Sequence, residues 1–363
     1  MADSGGHWLN LAEAQKLTQD NQVPGYMEED VKRGHLGMLL NAWQLTGTNL
    51  VWNREKSVGT GQRASIGSRL VWTDEEEYNQ ITRPLKIAYK QSPLNNFVEQ
   101  TYGTFNNYAA IQNRGLNKSV FRLIGDDLIY GDTNNGGSLQ PMGIHALAAL
   151  YPTSLNGEGG SDDLNVNMAS GGLSLMELRK MVDAMKHGID FFLFPKAIAR
   201  RLDAYVQEAG ISNTSVTSGS TNTERVTNSS AAGGTFNFDI TDAGARVTAF
   251  EDVPIVRSDY LVAEEADTGL TSSSTRDKYS SGDKNYSVFG VKTGQVAFEE
   301  PGLTFVFGGD TNPAGALMRT EGFDKLENYD AKGIRKTSYY NLADGSIMAL
   351  ARIVDITDVA VVA

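Results

Sequence analysis

The sequence predicts an α+β protein, on three observations. A helical period runs from Thr104 to Gly131, where Leu116, Val120, Ile124 and Leu128 recur every fourth residue and Phe121 and Leu123 widen the stripe. A strand-turn-strand pattern precedes this helix. The final third, Val288 to Ala363, is dominated by strands. At about 1.5 Å per residue the long helix would span roughly 40 Å, a beam rather than a filler. Arg114, Lys118 and Arg122 are offset by two residues from the apolar row, roughly 200° around, and form a basic stripe on the opposite face. Thr104 suits the start of the helix and Gly131 its end. Gly115 and Gly125 inside it each cost about 1 kcal/mol relative to Ala, which calls for close packing or a bend.

The totals exclude several classes. A chain of 363 residues holds one to three domains and a sizeable core. A net charge of −12 argues against a protein that wraps nucleic-acid phosphates, where affinity comes from Lys and Arg displacing counterions. With no cysteine there is no disulfide, thiolate metal site or thiol nucleophile, which fits a reducing compartment. Met1 to Asn10 lacks the apolar run of a secretory signal, and no window approaches the ~20 apolar residues of a membrane helix. The expectation is a soluble, acidic protein made in the cytoplasm.

Taken in order, Leu9 to Thr18 and Glu28 to Leu40 read as two helices of an arm that packs on something else, broken at Asn21 and Pro24. Thr48 to Tyr89 reads as strand. Leu50 and Trp52, then Leu70 and Trp72, alternate on either side of a Gly-rich tip, Glu55 to Ser68. Such a two-stranded ribbon has no core of its own, and its edges invite another chain. Its charges segregate, with Arg54, Lys56, Arg63 and Arg69 around the tip and Asp74, Glu75, Glu76 and Glu77 on the return. Either these form a solvated charged loop, or they pair with charges of a neighbouring subunit. Leu85, Ile87 and Tyr89 alternate in a further strand that leads into the long helix.

Asp132 to Ser138 is a plain turn, lacking the closing Glu of a calcium loop. Ser174 and Glu177 form a capping box ahead of a helix ending near Gly188. Ile189 to Phe194 is a short buried strand, and Pro195 opens a helix with Ile198, Leu202, Tyr205 and Ala209 on one face. Ile211 to Thr235 and Glu264 to Asn285 are polar insertions expected on the surface. Strands follow at Val288 to Val291, Leu303 to Phe307, Arg335 to Tyr340 and Ile347 to Ile356, the last as a central strand.

No pattern of catalysis emerges. His7, His35, His145 and His187 are scattered, and neither a Gly-x-Ser-x-Gly elbow nor a phosphate loop is present. Ser281 to Lys284 and Lys292-Thr293-Gly294 match two motifs of penicillin-binding enzymes, but those motifs lie far apart in such enzymes and here they nearly adjoin. No catalytic residue, cofactor site or metal site is predicted.

This order of elements resembles the major capsid protein of tailed bacteriophages, with its Hong Kong 97-like fold. Leu11 to Ala14 (LAEA), Phe121 to Asp132 (FRLIGDDLIYGD), Leu173 to Gly210, Phe250 to Tyr260 (FEDVPIVRSDY) and Ile334 to Ile356 resemble family segments in the family's order, although Tyr130 replaces an Asn. The resemblance implies a non-enzymatic subunit that self-assembles through pentamers and hexamers into an icosahedral shell around phage double-stranded DNA, assembled in the host cytoplasm and residing in the virion. It implies an N-terminal arm at 1–46, an extended loop at 47–83, a peripheral domain with a spine helix at 84–142, an axial domain at 143–297, a peripheral return at 298–342, and a final strand and tail at 343–363. It also implies a scaffolding protein, a portal and a decoration protein as partners. An arm that begins almost at Met1 implies separate scaffolding or prior cleavage, and for Lys56, the only Lys of the loop, no Asn acceptor of a crosslink is matched.

In this reading the subunit contacts involve Arg54, Lys56, Arg63, Arg69, Asp74 to Glu77, Arg114, Lys118 and Arg122, with the basic helix row meeting Asp74 to Glu77 or Glu28 to Asp30 of a partner chain. The alternatives are an encapsulin, whose shell holds protein cargo instead of DNA, and, more remotely, a secreted serine acyl enzyme using Ser281.

Overall fold

The computed structural model describes residues 29–57, 61–70, 72, 76–97, 100, 108–132, 139–150, 164–208, 236–240, 246–265, 278–280, 282–309, 317–327 and 330–362. Leu9 to Thr18, Thr104 and the insertion at 211–235 lie outside them.

The long helix, α2 (Tyr108–Tyr130), runs unbroken through Gly115 and Gly125. Leu116, Val120, Ile124 and Leu128 are buried as the period predicts, whereas Leu123 is largely exposed. The helix lies across strands β4 (Lys86–Asn95) and β14 (Ala331–Asp344). Strand β14 is the spine of a five-stranded sheet. One edge bonds to β4 along Ala331 to Tyr340, and the other bonds first to β13 (Arg319–Lys325) and then to β12 (Leu303–Gly308). Beyond β12 lies β1 (Asn41–Leu45), parallel to it. On β4 the face turned inward carries Ala88 and Leu94, and the predicted apolar alternation of Ile87 and Tyr89 faces outward.

The second sheet has eight strands. Its path is β5 (Asn165–Gly171), β15 (Leu350–Thr357), β11 (Lys284–Val291), β6 (Phe191–Pro195), β9 (Val253–Ser258), β8 (Arg246–Phe250) and β7 (Phe236–Ile240). The two-residue β10 (Glu264–Glu265) pairs with β11. Helices α4 (Leu175–Ala184) and α5 (Lys196–Glu208) bury Leu178, Met181, Ile198 and Leu202 in one core with Phe192, Phe194, Phe250 and Ile353. A short helix, α3 (Ile144–Ala149), and α2 share another core with Phe289, Val291, Phe305 and Leu342, so residues of both sheets meet over the long helix.

Several boundaries differ from expectation, each for a physical reason. Glu28 to Leu40 is not one helix. Helix α1 covers only Leu36–Leu39, because Gly34 takes φ +71° and its backbone lies so close to Arg257 that a Cβ would come 2.4 Å from that carbonyl oxygen. The predicted capping box does not close. Ser174 makes no side-chain cap bond, and the Glu177 carboxylate accepts from Lys180 Nζ at 2.7 Å instead. Pro195 ends β6 rather than opening α5. The run from Ile347 begins with a single 3-10 turn, and the strand starts at Leu350, buried throughout its first seven residues. Glu264 and Asn285 are not loop residues, since they face each other across β10 and β11 and are buried.

Candidate assembly surface

A two-stranded ribbon projects from this body, formed by β2 (Asn49–Ser57) and β3 (Glu77–Pro84) in antiparallel register from Asn49↔Pro84 to Ser57↔Glu77. The return strand was expected at Leu70 and Trp72, but the ladder resumes only at Glu77. Ile66, Leu70 and Trp72 are exposed, and among the described residues no strand pairs with them.

The ribbon's charges divide into two groups. At its base, the Asp344 carboxylate accepts from Arg83 on one oxygen (Nη2 at 3.1 Å, Nε at 3.3 Å) and from Arg54 on the other (3.3 Å). This side chain is 1% exposed, so both strands of the ribbon are pinned to β14 by one buried anion. Further out, Lys56 donates to Glu77 at 2.6 Å, and the hydrogen bond from Lys56 holds the Glu77 carboxyl below its ordinary range. Tyr78 donates to Glu76 at 2.7 Å, and that hydrogen bond pushes the phenol up. Arg63 and Arg69 are exposed on the tip, and Asp74 and Glu75 lie outside the described residues.

On α2, Arg114 is exposed while Lys118 and Arg122 are half-buried. Arg122 donates to the Asp30 carboxylate and to its main-chain carbonyl. The hydrogen bond from Arg122, helped by the charges of Arg122, Lys118 and Lys32, keeps the Asp30 carboxyl low. Thus the basic row meets an acid of the Glu28 to Asp30 run, here within one chain. Lys278 pairs with Asp126 one turn further along, and Lys90 donates to Ser119 Oγ at 2.9 Å.

The junction of the two sheets holds a polar network that no spacing in the sequence announces, because its members come from four separate elements. Glu264 is 1% exposed and lies 3.1 Å from His145 Nε2. Tyr130 donates to its Oε1 at 3.0 Å and Ser287 to its Oε2 at 2.5 Å. Burial pushes this carboxyl up, but the charge of His145 and the hydrogen bonds from His145, Ser287 and Tyr130 outweigh it and leave it lowered. Nearby, Tyr340 of β14 donates to Asp127 of α2.

Of the two motifs shared with acyl enzymes, Ser281 lies outside the described residues and Lys284 opens β11. Lys292 and Thr293 both serve Asp190: Nζ at 2.7 Å, and the Thr293 N–H and hydroxyl at 2.7 and 2.5 Å. Partial burial raises the Asp190 carboxyl, and these donors more than reverse it. Gly294 is where it is because its backbone abuts Gly302, with a Cβ 2.8 Å from that Cα. Among the described residues no cluster of acids and histidines suits a metal, and no helix is long and apolar enough to cross a membrane.

A five-stranded sheet crossed by a long helix, an eight-stranded sheet flanked by helices, and a projecting ribbon together constitute the Hong Kong 97-like capsid fold. Solved shell structures are similar over nearly the whole chain. The holo-SrpI encapsulin of Synechococcus elongatus matches with TM-score 0.61 at 12% identity, covering 98% of this chain and 99% of that one. The capsid of the native GTA particle matches with TM-score 0.60 at 13% identity, covering 96% and 98%. The capsid of Myoviridae phage XM1 matches with TM-score 0.54 at 9% identity, covering 94% and 97%. No family model matches the chain. No curated protein matches it by sequence. The likeness is therefore one of fold, and it bears out the fold expected from the order of motifs.

Proposed function

We propose that this chain is the major capsid subunit of a bacteriophage, assembling through pentamers and hexamers into an icosahedral shell around double-stranded DNA. The observation that carries this reading is the likeness in fold to the capsids of the native GTA particle and of Myoviridae phage XM1, which extends over 96% and 94% of the chain. In it, residues 1–46 are the arm, 47–83 the extended loop, 84–142 and 298–342 the peripheral domain, 143–297 the axial domain, and 343–363 the closing strand and tail. The subunit's role is structural rather than catalytic, and its place is the virion. A scaffolding protein, a portal and a decoration protein are its expected partners. Arg63, Arg69 and Asp74 to Glu77 then make contacts between copies. Arg122 binds the chain's own Asp30, and the row Arg114, Lys118 and Arg122 also meets an acidic run of a neighbour.

A second reading is an encapsulin-like shell around protein cargo, favoured by the match to the holo-SrpI complex along 99% of that chain. The contents decide between them. Particles purified after nuclease treatment and then opened are expected to release long double-stranded DNA. Release of a stoichiometric protein without nucleic acid would overturn the phage reading in favour of the second.

A further inference from the structure

A hollow of about 400 Å³ opens beside the long helix. Its cations come from four separate segments: Lys32 ahead of α1, Lys90 on β4, Arg122 on α2, and Lys278, which bridges to Glu264 of β10. Among the described residues Asp126 is the one acid on its wall. In a chain of net charge −12 this is a local reversal of sign. Two of the cations are answered, Arg122 by Asp30 and Lys278 by Asp126. Lys32 and Lys90 are in no ion pair among the described residues. The Lys32 ammonium lies 5.2 Å from the centre of the Tyr260 ring, and Lys90 donates to Ser119 Oγ at 2.9 Å. A concave wall dominated by one sign of charge concentrates the field and raises the local concentration of counter-ions.

The donors decide which anion suits it. The guanidinium fork of Arg122, the group matched to a flat carboxylate, is already closed on Asp30. What remains is two compact ammonium charges on separate segments, and the Ser119 hydroxyl, which accepts from Lys90 and keeps its own proton to donate. Such donors serve oxygens pointing in several directions, as those of a tetrahedral phosphate do. Tyr89 and Leu123, both exposed, stand on the same wall and add an aromatic and an apolar surface. We propose that the hollow is a phosphate-binding site, with Lys32, Lys90 and Ser119 on the phosphate oxygens and Tyr89 and Leu123 against the sugar or base of a nucleotide. Neither kind of shell, around DNA or around protein, requires this site, and its test is made on the chain itself, so it can fail without the shell reading failing.

Lys32 and Lys90 are exposed, so altering them leaves the core untouched. Equilibrium dialysis of the purified full-length chain against radiolabelled inorganic phosphate and, separately, thymidine monophosphate is expected to show saturable binding near one probe per chain. The binding should weaken several-fold between about 0.05 and 0.2 M salt as the charges are screened. Lys32→Gln/Lys90→Gln should weaken both probes at least tenfold with an unchanged melting temperature. Lys186→Gln/Lys325→Gln, which removes the same charge from exposed lysines elsewhere, should leave both unchanged. Nucleotide binding at least threefold tighter than phosphate, with the margin erased in Tyr89→Ala, upholds the whole site. Equal affinity upholds the phosphate site and removes Tyr89 and Leu123 from it. Absence of saturable binding, or an equal loss in the control variant, overturns the proposal. So does saturable binding of a hexaglutamate peptide that neither probe displaces, which would give the hollow to a carboxylate segment.

Discussion

Arg83 and Asp344 are 261 residues apart in sequence, yet the guanidinium grips one oxygen of the carboxylate at 3.1 and 3.3 Å where the ribbon leaves the five-stranded sheet. Because Arg54 holds the other oxygen, this anion sets the angle at which the ribbon projects. Asp344→Ala would leave two cations against a nearly dry site. Since the arginines retain partial access to water, the cost falls near the low end for a broken buried pair, about 3 kcal/mol. The loss should show in chemical denaturation, and trypsin should cut after Arg63 and Arg69 several-fold faster. An unchanged digestion rate would mean that the ribbon is held elsewhere.

The two glycines of the long helix should respond in opposite ways. A Cβ at Gly125 would come 2.6 Å from both His35 Cδ2 and Tyr260 Cε1, whereas one at Gly115 meets nothing within 4 Å. Gly125→Ala is thus expected to destabilise by about 1–3 kcal/mol through overpacking. Gly115→Ala should stabilise by up to about 1 kcal/mol. Thermal melts of the two variants, with equal shifts as the contrary result, check this.

His35 makes the fold sensitive to acid. Its Nδ1 accepts from the Gly37 N–H at 3.1 Å, so Nε2 carries the proton and donates to the Phe121 carbonyl at 3.0 Å, while the ring stacks on Phe121 at 3.8 Å. Burial lowers its pKa below the ordinary value, only partly offset by the bond to Phe121. Below the unfolded value of about 6.5 the unfolded chain takes up the proton and the folded one does not. Stability is therefore full above that pH and falls as pH drops toward the folded pKa. Melting temperature should decline between pH 7 and pH 5, and the slope should be shallower in His35→Gln. Parallel slopes would remove His35 from the account.

Asp127 is buried and its carboxyl is pushed up by that burial, against the opposing hydrogen bond from Tyr340. Tyr340→Phe removes the donor and leaves the acid unsatisfied, at about 1–3 kcal/mol. Asp127→Asn/Tyr340→Phe should recover part of that loss, and denaturant midpoints of the single and double variants measure it.

Much of this fold was legible because it repeats. The fourfold spacing from Leu116 to Leu128 fixed the buried face of α2, and the apolar run after Ile347 marked a strand buried on both faces. What failed to show had no local signature. Leu70 and Trp72 alternate as a strand does, but among the described residues no partner lies opposite them and they remain outside the ladder. Gly34 keeps the chain out of helix ahead of α1 because Arg257, far along the chain, lies against its backbone. The basic row was visible as a stripe, but that Asp30 of the same chain would answer Arg122 depends on where the arm folds back. Glu264 read as part of a polar loop, since nothing near it in sequence announces His145, Tyr130 or Ser287.

The central claim is that the chain builds a closed shell, and the most direct test is electron microscopy of the purified protein alongside its sedimentation profile. The account predicts closed particles, or five- and six-membered rings that close when a scaffold is added. A species that stays monomeric at every concentration, with or without scaffold, would contradict it.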